Sequence, residues 1–191
     1  MFIFKNQYYL YIENSKSLNL NLIKKRNKFV IIYRNAENIE KVEDLKKFRK
    51  TCKQKAIKFY VANNLNLSVI LKADGIYLSA FNKKIIKQKY KNYNLRIIGS
   101  AHNIKEICEK KNQGCEEIIL SRLFKTDYSN KKTFLGIAKF NLISSIFKEN
   151  LIPLGGIRVK NLRKLLTISS DSFAIFSEIK KKPANIINRL F

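Results

Sequence analysis

Tryptophan is absent from this 191-residue chain, proline occurs twice, glycine six times and histidine once. Acidic residues are also scarce: 14 Asp and Glu stand against 39 Lys and Arg, for a net charge of +25. Taken alone, that charge points to nucleic acid or an anionic membrane. Two observations pull the other way. Lys, Asn and Ile are abundant throughout, inside expected helices as well as outside them, as a genome-wide bias toward A/T-rich codons would produce. The lysines are also spread along the chain rather than gathered in one arm. Nucleic-acid binding therefore ranks last among the readings below. A general attraction for anionic metabolites, weakening with salt, is the milder consequence.

The three cysteines, Cys52, Cys108 and Cys115, are an odd number without metal-site spacing. They fit a reduced cytosolic compartment. No stretch reaches the length of a membrane span, and Met1-Phe2-Ile3-Phe4-Lys5 opens without a long apolar leader. The expectation is a soluble cytoplasmic protein that needs no membrane. No linker or low-complexity stretch divides the chain, so residues 1–191 are expected to form one domain. With 46% apolar residues the chain has enough material for a core.

Short apolar runs alternate with longer amphipathic segments. The runs are Tyr8–Ile12, Phe29–Tyr33, Phe59–Val61, Gly75–Leu78, Arg96–Ile98, Glu117–Leu120, Leu151–Leu154 and Phe173–Phe176. Most are nearly continuous in apolar residues, which suits parallel strands buried on both faces. Helical spacing is present over Ile39–Ala56, Asn103–Asn112, Ile137–Lys148, Val159–Ile168 and Pro183–Leu190. Asn103 is placed as an N-cap, and Pro183 in a first helical turn. Such alternation implies βαβ units with right-handed crossovers. Eight units favour a compact (β/α)8 TIM barrel over its competitor, a doubly wound open sheet. At 191 residues the barrel must have trimmed helices and loops, since about 250 is typical.

In a barrel, the residues just after the strands converge on one rim, where active sites of this fold are built. Here they are Arg34 after the second strand, Asn63 and Asn64 after the third, and Ser79 and Asn82 after the fourth. Ser100 and His102 follow the fifth, Thr126 and Asp127 the sixth, Gly155 and Gly156 the seventh, and Ser177 the eighth. A Gly-Gly turn followed by a strand ending in a small polar residue can cradle a phosphate through backbone N–H groups.

The ordered set resembles the thiamine-phosphate synthase/TenI superfamily, from about Phe29 to Ile179. Tyr60-Val61-Ala62-Asn63-Asn64 with Ala73-Asp74-Gly75-Ile76-Tyr77-Leu78 resembles that family's third and fourth strands. Gly99-Ser100-Ala101-His102 is similar to its Gly-x-Ser-x-His turn, shortened by one residue. Leu154-Gly155-Gly156-Ile157 is similar to its Ile-Gly-Gly-Ile phosphate loop. The resemblance implies an enzyme that joins hydroxymethylpyrimidine diphosphate to thiazole phosphate and releases diphosphate with Mg²⁺. It assigns Arg34, Asn63 and Ser100 to the pyrimidine diphosphate. Thr126, Gly156, Phe176 and Ser177 go to the thiazole phosphate.

The departures fall mainly on one half of that site. The family's two magnesium carboxylates correspond to Asn64 and Asn82, and neutral amides are poorer ligands for a hard cation. Ala36 replaces a lysine. Ser129 and Tyr128 replace the lysine and second threonine of the loop after strand six, and Ser121-Arg122 replaces its Gly-Pro. Lys125, Lys131 and Lys132 lie near enough in sequence to restore charge. Conversely, Phe124-Lys125-Thr126-Asp127 reads closer to the TenI branch, some members of which tautomerise thiazole phosphate with the histidine that matches His102. A side chain titrating near neutrality suits that proton transfer. Three readings stand: a synthase-family protein, a tautomerase using His102, and a barrel that binds a phosphorylated ligand without turnover. Plainer roles stay open for single residues. Gly155-Gly156 serves equally as a tight turn, Arg34 as a solvated strand end, Asp127 as a turn cap and His102 as a helix start.

Overall fold

Strands buried on both faces need a partner on both edges, and here all eight find one. The computed structural model describes residues 5–24, 27–35, 40–84, 92–126, 133–181, 183–188 and 190. The strands are β1 (Gln7–Ile12), β2 (Phe29–Tyr33), β3 (Lys58–Ala62), β4 (Gly75–Leu78), β5 (Arg96–Ala101), β6 (Glu117–Ser121), β7 (Asn150–Leu154) and β8 (Ser172–Ile175). They pair in chain order, all parallel, and β8 returns to β1, closing the barrel. All eight expected strands are present, and the open sheet is excluded.

Side chains alternate across each strand. Tyr9 and Tyr11 of β1, Ile32 of β2, Tyr60 of β3, Tyr77 of β4 and Ile98 of β5 belong to one buried cluster, completed by Ile119, Ile152 and Ala174. This cluster fills the barrel. Their neighbours Tyr8, Leu10, Phe29, Ile31 and Phe59 belong to a second, larger cluster that lies under the helices. The three tyrosines of the first strand therefore all pack. The Tyr60 ring occupies the space where a Cβ on Gly75 would stand, so glycine opens β4 for a steric reason. Asp74 beside it is structural too. Its carboxylate accepts from Arg49 at 2.8 Å and from the Phe59 N–H at 2.7 Å.

The outer elements are short, as a small barrel requires. Val42–Gln54 and Ile104–Asn112 are α-helices, and the Asn103 side chain caps the second by accepting from Glu106 N at 2.9 Å. Gly136–Ile146 is α-helical, whereas Val159–Thr167 is 3₁₀, tighter than the α-helix its spacing suggested. Leu65–Ile70 and Ser177–Lys181 are helices absent from the expectation. Six and five residues are too few for an amphipathic period to show. Pro183–Ile187 ends the described helices. Among the described residues, no helix is long and apolar enough to cross a membrane.

Cys52 and Cys115 are buried and Cys108 is exposed. Burial pushes both buried thiols up to about 12, with Asp74 adding to the effect at Cys52 and Lys110 opposing it at Cys115. The thiolate is the reactive form. At pH 8 the native protein should therefore react rapidly with Ellman's reagent at Cys108 alone, and at all three cysteines in denaturant. Rapid native reaction of a second thiol would contradict this packing.

Candidate functional site

The strand ends deliver two groups of residues to the C-terminal rim. The first lies at β6, β7 and β8. Gly155 and Gly156 follow β7 with φ of 103° and 67°. A Cβ on Gly156 would collide with the backbone of Phe124 and Lys125. Glycine is thus required there by conformation and by space. Leu123 N donates to Leu154 O at 2.9 Å and Phe124 N to Gly155 O at 3.0 Å, which zips the loop after β6 onto the Gly-Gly turn. Asn161 Nδ2 donates to Gly156 O at 2.7 Å from the other side. The turn is held by its carbonyls.

Thr126 belongs to the same loop. Among the described residues, its buried Oγ1 has no hydrogen-bond partner. A buried hydroxyl left unpaired costs about 1–3 kcal/mol, so such a group calls for an explanation. Asp127, Tyr128, Ser129, Lys131 and Lys132 lie outside the described residues, as does Ala36.

Leu154 of β7 pairs with Ala174 of β8, so Gly156 and Phe176 each stand two residues beyond the same rung. Phe176 packs edge-on to Tyr11, ring centroids 6.0 Å apart, and helps floor the rim. The expected strand end at Phe176-Ser177 is corrected. β8 stops at Ile175, and Ser177 begins the helix Ser177–Lys181 because Phe176 O accepts from Lys180 N.

The second group lies at β3, β4 and β5. Asn63 adopts a left-handed conformation, φ 56°, in which its amide reaches across to the loop after β4. Oδ1 accepts from Ser79 N at 3.0 Å and from Asn82 Nδ2 at 3.1 Å, and Nδ2 donates to Ser79 Oγ at 3.1 Å. Asn82 Oδ1 accepts from Lys84 N at 3.1 Å. Asn64 points elsewhere. Its Oδ1 caps the helix Leu65–Ile70 by accepting from Leu67 N at 2.9 Å. Below the loop, Lys110 Nζ donates to Ser79 O and Asn82 O, both at 2.7 Å.

This donor set does not suit Mg²⁺. The amide oxygens of Asn63, Asn64 and Asn82 already accept hydrogen bonds, and a fixed cation sits beneath. Among the described residues, no group of three His, Cys, Asp or Glu could hold a metal ion.

Ser100 is corrected from a turn residue to a strand residue, since β5 runs on to Ala101. It is buried and shares the interior face of Ile98 two residues earlier. Arg34 is exposed at the end of β2, its N–H donating to Ile12 O at 2.9 Å. It stands near Tyr11, whose hydroxyl is buried without a well-formed hydrogen bond. Burial, then neighbouring Tyr77, push the Tyr11 phenol well above its ordinary value, and Arg34 partly offsets them.

His102 is partly exposed. Its Nδ1 lies 2.9 Å from Glu106 Oε2, and its backbone N–H donates to the same oxygen at 2.8 Å. Glu106 thus orients the ring and leaves Nε2 turned from the carboxylate. Phe81 of the β4 loop lies against the imidazole, centroids 6.3 Å apart. Lys110, Gln113 and Glu106 were not singled out in the sequence. Lys110 carried a signal: it stands three residues after buried Ile107, on the inner face of its helix.

Burial pushes the Glu106 carboxyl up, but bonds from the His102 N–H, the His102 ring and Asn103 outweigh it and leave it below its ordinary value of 4.5. A carboxyl lowered on folding adds stability that is present above its unfolded pKa and lost as pH falls through the folded one. Glu106→Gln should lower the melting temperature by about 1–3 °C at pH 7, given the partial exposure. The difference should shrink as pH falls from 7 through the carboxylate range and vanish once Glu106 is protonated in the folded protein. Thermal melts of both proteins across that range are the check. A difference constant with pH would remove the ionic role.

The sequence profile of the family described as thiamine monophosphate synthase matches residues 5–179. A thiamine-phosphate synthase of Clostridioides difficile (strain 630) is 26% identical over 178 residues, covering 91% of this chain and 80% of that protein. One from Pelagibacter ubique (strain HTCC1062) is 27% identical over 173 residues, covering 87% and 83%. Among solved structures, a thiamine phosphate pyrophosphorylase from Pyrococcus furiosus has the same fold, with a TM-score of 0.77 at 21% identity over 98% of this chain and 94% of that one. The profile spans nearly the whole barrel, both rim groups included, and this chain belongs to the thiamine monophosphate synthase family.

Proposed function

We propose that this barrel is a synthase-family protein of thiamine biosynthesis that binds thiazole phosphate at the β6–β8 side of its rim. One observation carries the reading: the buried Thr126 hydroxyl, without a partner among the described residues, on the loop whose Phe124 and Lys125 pack against Gly156. A phosphate oxygen supplies the acceptor that this hydroxyl lacks. The Gly155-Gly156 turn packs tightly against Phe124 and Lys125, which fixes the loop that carries Thr126. Phe176 and Ser177, from the neighbouring strand end, complete that side. Hydroxymethylpyrimidine diphosphate is the second ligand, facing Arg34, Asn63 and Ser100. Coupling the two makes the protein a transferase like its named relatives.

A second reading, thiazole tautomerase, draws on the His102–Glu106 pair. Tautomerisation moves one proton between two positions of the same molecule, so it balances without a co-reactant. A histidine oriented through Nδ1 by a carboxylate offers Nε2 for that transfer.

Calorimetric titration with thiazole phosphate is the first test. Thr126→Val keeps the shape and removes the hydroxyl, and should weaken binding about fivefold to twentyfold. Wild-type protein that ignores thiazole phosphate would overturn the reading. Mass spectrometry of protein mixed with both substrates then separates the activities. Thiamine phosphate marks the transferase. If the tautomerase operates, His102→Ala should lose about 10²–10⁴ in solvent deuterium exchange into thiazole phosphate, with affinity unchanged. Loss of affinity instead would make His102 a structural residue.

A further inference from the structure

Lys110 is 1% exposed, which is rare for lysine. Its burial is compensated in full. Nζ donates to Ser79 O at 2.7 Å, to Asn82 O at 2.7 Å and to Gln113 Oε1 at 2.8 Å. Three oxygen acceptors match the three N–H bonds of an ammonium. Burial lowers Lys110 from its ordinary value, and Cys115, Glu109 and Glu106 oppose that effect. Gln113 Nε2 donates in turn to Asn82 O and Lys84 O, both at 2.9 Å. The space is made for the stem: a Cβ on Gly99 would meet Lys110 Cβ and Cδ at 3.0 and 2.9 Å. The loop after β4 is thus fixed from below by Lys110 and from above by Asn63.

We propose that Lys110 is a positioning residue that takes over, as a fixed internal cation, the organising role of a divalent metal at the β3–β4 corner, so that this rim binds a diphosphate-class anion without Mg²⁺. A hard divalent cation wants six or more oxygen donors with net negative charge. Here the three amides are neutral, their oxygens already accept hydrogen bonds, and the Lys110 ammonium lies against the same loop. An ammonium held by loop carbonyls orients those carbonyls as a metal would, and it repels a second cation. The inference rests on the phosphorylated-ligand reading but concerns the opposite side of the rim from thiazole phosphate.

The test titrates inorganic diphosphate into the full chain, with Mg²⁺ or with EDTA. Binding in EDTA should be at least as tight as in Mg²⁺, because the metal then only competes for the anion. Affinity at least tenfold tighter with Mg²⁺, or no diphosphate binding in either buffer, would overturn the proposal. Lys110→Met should weaken diphosphate at least tenfold in EDTA and leave thiazole phosphate affinity unchanged. If that variant does not fold, the comparison of buffers on the wild-type chain decides alone. Loss of thiazole phosphate binding in the wild type would strike the proposed function. Failure with diphosphate while thiazole phosphate still binds would strike this inference only.

Discussion

The pairing of β8 with β1 leaves the sheet without an edge, and everything at the rim depends on that closure. A closed parallel barrel sends every strand end in one direction. Residues distant in sequence, such as Arg34 and Ser177, are thereby delivered to one face. Closure also demands that each strand be apolar on both sides. That is why the strands read as unbroken hydrophobic runs, and why the polar residues worth attention stand just beyond them.

The rim is held by two different means. At β6 and β7 the backbone does the work. Gly155 and Gly156 turn where no side chain fits, and the loop after β6 zips onto the carbonyls of Leu154 and Gly155. At β3 and β4 side chains do the work. Asn63 bonds to Ser79 and Asn82 from above, and Lys110 bonds to both from below. A buried polar network of this kind specifies one arrangement only while every member is satisfied. One missing partner would leave a buried charge, which costs far more than a missing surface contact.

Much of this was legible in the sequence, for identifiable reasons. Tyr8–Ile12 and Phe29–Tyr33 were readable because burial on both faces leaves little room for polar residues. Asn103 was readable as a cap because its short amide suits the start of a helix and competes with it elsewhere. The misses are just as physical. Leu65–Ile70 is shorter than two helical turns and shows no period. Val159–Thr167 has helical spacing, yet spacing alone does not separate 3₁₀ from α over nine residues. Asn64 reads as a replaced metal ligand by its place in the chain, and its side chain has been recruited to cap the helix that follows. Lys110 hid among 39 basic residues, nearly all of which one expects to find solvated.

That last miss separates net charge from working charge. The +25 total is spread over a surface where each charge is screened within about 10 Å at ordinary salt. Exposed ion pairs such as Lys180 with Glu13 are worth about 0–1 kcal/mol each. Lys110 is different in kind, because it is dry and every N–H has an acceptor. Hydrogen bonds to a charged group contribute about 1.5–3 kcal/mol each, and they are directional. One buried lysine therefore does more to shape the rim than two dozen unbalanced charges outside it. Through the carbonyls of Ser79 and Asn82 it ties the loop after β4 to the helix that follows β5, a link that no screened surface charge could make.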